Sequence, residues 1–487
     1  MNTENYINTE KDLLSPSLNA VPDDGMKHIH LMGICGTAMA SLAGILKEEG
    51  FLVTGSDQNI YPPMSDFLAD LSIPVLKGYK PENLSPRPDL IIVGNVITRQ
   101  NPEAVQLALE KIPYLSMPQA LGLFAIKDKI SVVVSGTHGK TTTSSLASYI
   151  LDRAGMDPGF MIGGIVNNFQ SSFRLGKGPY FVVEGDEYDT AFFDKGPKFL
   201  HYLPRIVILT SIEFDHADIF RDLNHVIETF RRLIEIIPDE GLLIANRDDR
   251  LVMAEAGRAR CRVITYGLNG GSGWRASDIS NHDGMTHVNI LKDDMLYASL
   301  DTPLYGNYNI SNLLSIAALS DYIGLNKSVL SDACLSFRGV KRRQEVRGEK
   351  GGILVLDDFA HHPTAVEKTI QAVKERYGNR RLIAVFEPRS NSSRRNIFQK
   401  RYSESFDKAD LIFIPETVMV EKIPLQERFS SKKLVESLND RQLNARYCPD
   451  SGHLLNELIR QARKGDVILI MSNGSFENLH ERLLERL

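Results

Sequence analysis

Tryptophan occurs once and cysteine four times in the 487 residues. Cys35, Cys261, Cys334 and Cys448 are widely spaced and form no metal or redox motif. That excludes a disulfide scaffold and leaves single thiols in a reducing compartment. No apolar run approaches the roughly 20 residues needed to span a bilayer. The first 26 residues are polar and lack the apolar centre of a secretion signal. A cytoplasmic protein without a membrane partner is expected. Neither sign of charge dominates: Lys and Arg number 56, Asp and Glu 61, for a net charge of -5. The basic clusters at Lys341–Arg343 and Arg394–Arg395 are too short for a nucleic-acid footprint. No tandem repeat or low-complexity segment stands out.

What is present is ordinary globular composition, 43% hydrophobic and 24% charged, over a length that exceeds one core. The pattern predicts an α/β protein of three domains behind a loose extension over residues 1–26. HIHLMGI, FLVTGSD, DLIIVGNV and PYLSM read as strands of a Rossmann-like parallel sheet over residues 27–125. A central domain resembling P-loop ATPases follows over residues 126–340. Within it, Cys261 to Leu304 carries short alternating runs that predict a small antiparallel sheet, and a helix near Asn309 closes the domain. GILVLDDFA, RLIAVFEP, DLIFIPE and DVILIMSNG predict a second Rossmann-like sheet over residues 341–487.

The chain is organised around ISVVVSGTHGKTTTSSLASYILDRAG, Ile130 to Gly155. A β-branched apolar run ends in a turn built on Gly136 and Gly139, and a helical pattern starts at Thr141. Gly136, Thr137, His138, Gly139, Lys140, Thr141 and Thr142 form a phosphate cradle, because helix-start amides and the helix dipole face an anion. Lys140 reaches the outer phosphates and the Thr141 hydroxyl binds magnesium. The full G-x-x-x-x-G-K-[ST] pattern needs a glycine where Val134 stands, so only GTHGKT matches.

Ligands of open α/β sheets collect at the carboxyl ends of strands, so charged strand ends carry weight. Glu184 directly follows the strand YFVV and reads as a metal ligand, whereas Asp186, Glu187 and Asp189 read as a solvated loop. Glu213, Asp215 and His216 end the next strand, with His216 balanced between ligand and packing residue. Asn309 and Asn312 begin a helix, where capping competes with contact to a nucleotide base. Asp358 and His361 follow the first strand of the third domain, ahead of a helix-starting Pro363. Arg389 suits bidentate capture of a carboxylate, while Arg394 and Arg395 read as a surface pair. In the first domain GICGTA is a degraded dinucleotide fingerprint, with Gly33, Cys35, Gly36 and Thr37 in the turn. Asp57 ends the second strand at the distance of a ribose contact.

In this order GTHGKTTT, the strand-end Glu184, FDH, YGNYNISN, RRQE and DDFAHHP resemble the Mur ligases, ATP-dependent amide ligases of peptidoglycan synthesis. The resemblance covers nearly the whole chain after the extension. GICGTAMASLAG, YPPMS, GNVITRQNPE, SMPQ, EGDEYDTAFFDK, FLHY, EFDHADIF and EPRSN are most similar to the muropeptide-recycling branch. It implies ligation of UDP-N-acetylmuramate to the tripeptide L-Ala-γ-D-Glu-meso-diaminopimelate; L-alanine addition is the related alternative. A switch-type nucleotide-binding protein is the non-catalytic rival. The resemblance assigns the UDP sugar to domain one (Gly33, Cys35, Gly36, Thr37, Asp57), ATP to domain two and the peptide to domain three (His361, Arg389). Lys140, Glu184 and His216 become catalytic; Thr141, Glu184 and His216 hold Mg2+. Asn309 contacts adenine, Arg343 the γ-phosphate and Asp358 the ATP ribose. ETFRRL, downstream of the D-H motif, has no lysine, which implies a metal site without the carbamate of several relatives. Cys35 replaces the glycine usual in the L-alanine-adding enzymes. A monomer or weak homodimer is expected.

Overall fold

The computed structural model describes residues 25–61 and 64–487. The extension read over residues 1–26 falls outside them except for its last two residues, as do two prolines of YPPMS. No helix among the described residues is long and apolar enough to cross a membrane.

Three large sheets carry the described residues, beside a two-stranded ribbon of Asp189–Ala191 and Asp194–Pro197. The first is parallel and five-stranded, in spatial order Val75–Lys77, Leu52–Asp57, His28–Met32, Leu90–Val93, Tyr114–Ser116. Its middle strands His28–Met32 and Leu90–Val93 are buried on both faces except at His28, as a parallel sheet covered by helices demands.

The second sheet has ten strands. Ile130–Ser135 lies between Ile206–Leu209 and Tyr180–Gly185, parallel to both. Cys261 to Leu304 does not make a sheet of its own. Arg262–Gly267 extends the parallel ladder, and Trp274–His282 joins it at Tyr266 before turning into an antiparallel meander with Met285–Lys292 and Met295–Thr302. The fusion follows from Trp274, which is fully buried in one core with Val288 and Ile290. The opposite edge ends in the hairpin Gly159–Val166 and Ser171–Arg174. The helix Thr37–Glu48 of the first domain docks here so closely that a Cβ on Gly44 would lie 2.4 Å from the Phe173 ring.

The third sheet runs Glu345–Lys350, Ile353–Asp358, Val467–Met471, Leu382–Phe386, Leu411–Pro415, Ala445–Cys448, antiparallel only at the first pair. The chain enters it through a short joint. Val340 bridges to Val166, and Lys341 N donates to Ile165 O at 3.0 Å. Arg342 then takes φ 62° and donates to the Ser472 and Gly474 carbonyls, both at 2.6 Å. Gln344 N donates to Asp358 at 2.8 Å. In five residues the chain passes from the middle sheet to the third.

Candidate active site

One cavity of about 1040 Å³ opens where the three sheets meet, walled by Thr37 and Met117 from the first, the Thr137–Thr142 loop from the second and Asp358–His362 from the third. Sites of small ligands usually hold about 300–1,000 Å³, so there is room here for more than one substrate.

The loop is shaped by its two glycines. Gly136 has φ 128° and Gly139 φ 83°, conformations that side-chain-bearing residues avoid. A Cβ on Gly139 would meet Asn312 Oδ1 at 2.6 Å. The loop is braced by the neighbouring strand end: Thr137 N donates to Ser211 O at 2.9 Å, and His138 N to Ser211 Oγ at 3.0 Å. Glu213 N donates to Thr137 Oγ1 at 2.8 Å. The helix Lys140–Arg153 starts directly behind, and its first-turn amides lack intrahelical partners.

Lys140 Nζ donates to its own loop at Gly136 O, 2.7 Å away, and to Glu187 at 3.0 Å. Burial works against the ammonium charge, but Glu187 and Asp186 outweigh it and hold the Lys140 pKa above its ordinary value. Glu187 is therefore no solvated loop residue; only 4% of it is exposed. An acidic run hides such a residue, because its partner stands 47 positions away.

Glu184, near the end of its strand, and Thr141, in the first turn of the helix, come together. Thr141 Oγ1 donates to Glu184 at 3.2 Å, and Gly163 N donates to the other carboxylate oxygen at 2.7 Å. Burial, followed by the charge of Asp186, raises the Glu184 pKa. Arg343, from the joint, donates to Thr141 Oγ1 at 3.4 Å. Two hard oxygen donors side by side in a cavity wall fit a magnesium ion. His216 shares that wall; both its ring nitrogens lie within 3.1 Å of the Tyr188 hydroxyl, and Nε2 is 3.5 Å from Glu187.

Asn309 sits in the third position of its helix, and Gly306 takes the N-cap, so capping does not explain it. Buried in the cavity wall, it donates to Tyr305 O at 2.9 Å and to Gln344 at 3.1 Å. Asp358 accepts from Gln344 N and Ala360 N, both at 2.8 Å, and burial raises its pKa despite Arg343. His361 lines the cavity, 3.8 Å from Asp215. Arg389 is not in the wall: it folds onto Glu387 at 3.2 Å and packs on Gly474. In the first domain Thr37 reaches the cavity, whereas Gly33, Cys35 and Gly36 form the turn behind it. Asp57 accepts from Cys35 N at 2.9 Å and Asn59 N at 3.0 Å, so in this state it braces that turn.

One grouping has no counterpart in the motifs. His138, Glu213 and His362 gather their side chains across the junction of the second and third domains.

Family models match three consecutive parts of the chain: Mur ligase family, catalytic domain, over residues 28–129; Mur ligase middle domain over 134–320; and Mur ligase, glutamate ligase domain, over 342–474. The chain is 40% identical to the UDP-N-acetylmuramate–L-alanyl-γ-D-glutamyl-meso-2,6-diaminoheptandioate ligase of Escherichia coli K12, across 94% of this chain and 98% of that one. It is 32% identical to the UDP-N-acetylmuramate–L-alanine ligase of Clostridium acetobutylicum, across 95% and 99%. A crystal structure of a murein peptide ligase from Psychrobacter arcticus 273-4 superposes with a TM-score of 0.69 at 34% identity, covering 94% of this chain and 98% of that one. Matched over almost its whole described length, with the Gly136–Thr142 loop, the Thr141–Glu184 pair and the third-domain Asp358 around one cavity, the chain belongs to the Mur ligase family.

Proposed function

We propose that this enzyme joins UDP-N-acetylmuramate to L-Ala-γ-D-Glu-meso-diaminopimelate at the expense of ATP, in peptidoglycan recycling. In this reading residues 27–125 bind the UDP sugar, 126–340 bind ATP and 341–487 bind the peptide. The observation that carries it is the meeting of Lys140, the Thr141–Glu184 pair, Arg343 and Asp358 in one three-domain cavity. The 40% identity to a ligase named for this tripeptide favours it over L-alanine addition.

A carboxylate is a poor electrophile, so the lactyl carboxylate first attacks the γ-phosphorus of ATP, and ADP leaves. The peptide amine then attacks the acyl carbon, loses a proton, and the tetrahedral intermediate expels phosphate. The Gly136–Thr142 loop and Lys140 take the negative charge that spreads over the phosphoryl oxygens. Asn309 and Asp358 orient the nucleoside, and Arg343 faces the phosphates from the joint. Thr141, Glu184 and His216 would hold Mg2+, which supplies charge neutralisation at the phosphates. Thr37 and the turn behind it place the sugar nucleotide, and His361 lies on the peptide side. Assembling three substrates in one cavity makes each step effectively unimolecular, worth about 7–11 kcal/mol at best.

The test is ADP release with ATP, Mg2+ and UDP-N-acetylmuramate, offering tripeptide and L-alanine separately. Release should follow the tripeptide and stay near background with L-alanine. The opposite order transfers the chain to the L-alanine-adding group, and release with neither amine favours a nucleotide switch.

Glu187 holds the place of an anion on Lys140, which gives a second prediction. Removing one partner of a buried ion pair leaves the other uncompensated, at about 3–5 kcal/mol. Glu187→Gln should therefore lower the melting temperature of the ligand-free protein. Mg-ATP, which restores a negative partner to Lys140, should raise that temperature more in the variant than in the parent. Equal shifts would show that Glu187 and the nucleotide do not share Lys140.

A further inference from the structure

The histidine of the phosphate loop points away from the loop's own business. His138 Nε2 lies 2.9 Å from Glu213 Oε2, and the same oxygen lies 3.6 Å from His362 Nδ1. One ligand atom from each residue falls within 4.8 Å of the other two. Tetrahedral zinc bonds of about 2.0–2.2 Å place ligand atoms about 3.4 Å apart, so small side-chain adjustments close this triangle around an ion.

Three further observations make it a built site. The His362 Nε2 atom is 3.2 Å from Phe214 O, and a carbonyl only accepts, so the proton sits on Nε2 and Nδ1 keeps its lone pair. That is the outer hydrogen bond which fixes the tautomer of metal-binding histidines. Thr364 N donates to Nδ1 at a long 3.3 Å, a contact that a metal would replace. Finally, all three residues line the cavity, from which a water can complete a fourth position. Two imidazoles with one carboxylate is a donor set for zinc-class metals, unlike the hard oxygen pair of Thr141 and Glu184.

We infer that His138, Glu213 and His362 form a site for a divalent transition metal of the zinc class, separate from the magnesium ligands, which clasps the phosphate loop to the third domain. His138 belongs to the loop, Glu213 to the irregular segment that follows the strand Ile206–Leu209 rather than to the strand end the sequence suggests, and His362 caps the helix Pro363–Tyr377. A metal shared by the three holds the two domains in the arrangement seen here. Because catalysis by such junction sites needs domain motion, a bound ion slows turnover.

The experiment uses the full-length protein with Mg2+ in large excess to fill the oxygen-donor site. Zn2+ is titrated by calorimetry, and Co2+ by its visible absorption, which reports four-coordinate geometry. One equivalent of each should bind to the parent. Glu213→Gln and His362→Asn, the latter retaining a capping side chain, should each weaken zinc binding by at least about 100-fold, beyond the 10–100-fold typical of outer-shell changes. Thermal melts show whether the variants are folded. Crystals of the parent soaked in Zn2+ need no variant: anomalous density should lie among the three residues. Unchanged zinc affinity in folded variants, or density beside Glu184 or His216 alone, overturns the assignment. Slowed ADP release at bound zinc, reversed by a chelator, is the expected consequence; full activity with the site occupied would refute the clasp.

Discussion

Lys140→Ala lowers kcat for substrate-dependent ADP release by at least about 10²–10³-fold, the usual loss when one preorganised electrostatic contact to a reacting oxyanion is removed. The side chain is nearly enclosed and its charge is maintained by Glu187 and Asp186. It arrives at the reaction already ionised and already desolvated, so little reorganisation remains for the transition state. Alanine abolishes that charge and leaves several carboxylates facing one another. Part of the loss could then be structural, and two controls separate the contributions. The melting temperature reports the fold, and Mg2+-dependent ATP binding reports the loop. A folded variant that binds ATP but turns over within tenfold of the parent would remove Lys140 from the chemistry and, with it, the phosphoryl-transfer scheme.

The second large effect is on the fold. Gly136→Ala should destabilise the protein by about 2–6 kcal/mol, combining a disallowed backbone conformation with overpacking. Its φ of 128° suits glycine alone. An added Cβ would lie 2.2 Å from Thr210 Oγ1, 2.8 Å from Ser211 N and 2.9 Å from Ser211 O. The hydroxyl can rotate away, but the two backbone atoms cannot. Against a typical total of about 5–15 kcal/mol, this is a large share. Gly155→Ala is the control: its φ is also positive, 74°, but no atom lies within 4 Å of the added carbon. It should cost only about 1–2 kcal/mol. Urea midpoints that fall equally in the two variants would show that the contacts at Thr210 and Ser211 give way.

The features legible beforehand are those written in consecutive residues. The run Ile130–Val134 followed by glycines announces a strand and a tight glycine turn, and Glu184 and Asp358 stand at the ends of apolar strands as their sequence context indicates. Pairings between distant segments were not legible. Glu187 looks like part of a hydrated acidic loop until Lys140 is placed 3.0 Å from it. The His138–Glu213–His362 group draws on three segments, none of which has a metal-ligand spacing. The meander after Cys261 looked separate because its alternation is antiparallel in kind; only the burial of Trp274 shows that it shares the middle core. Asp57 at a strand end suggested a ligand contact, while the structure has it accepting from Cys35 N.

The joint at residues 340–344 is too short to be an idle tether. Arg342 is anchored on the third sheet, while the next residue touches the hydroxyl of Thr141. With Arg343 in its proposed role as a γ-phosphate contact, a swing of the third domain moves that contact too, so the same few bonds tie the angle between the domains to nucleotide binding. On that reading, lengthening the chain there by even one residue would uncouple movement from occupancy.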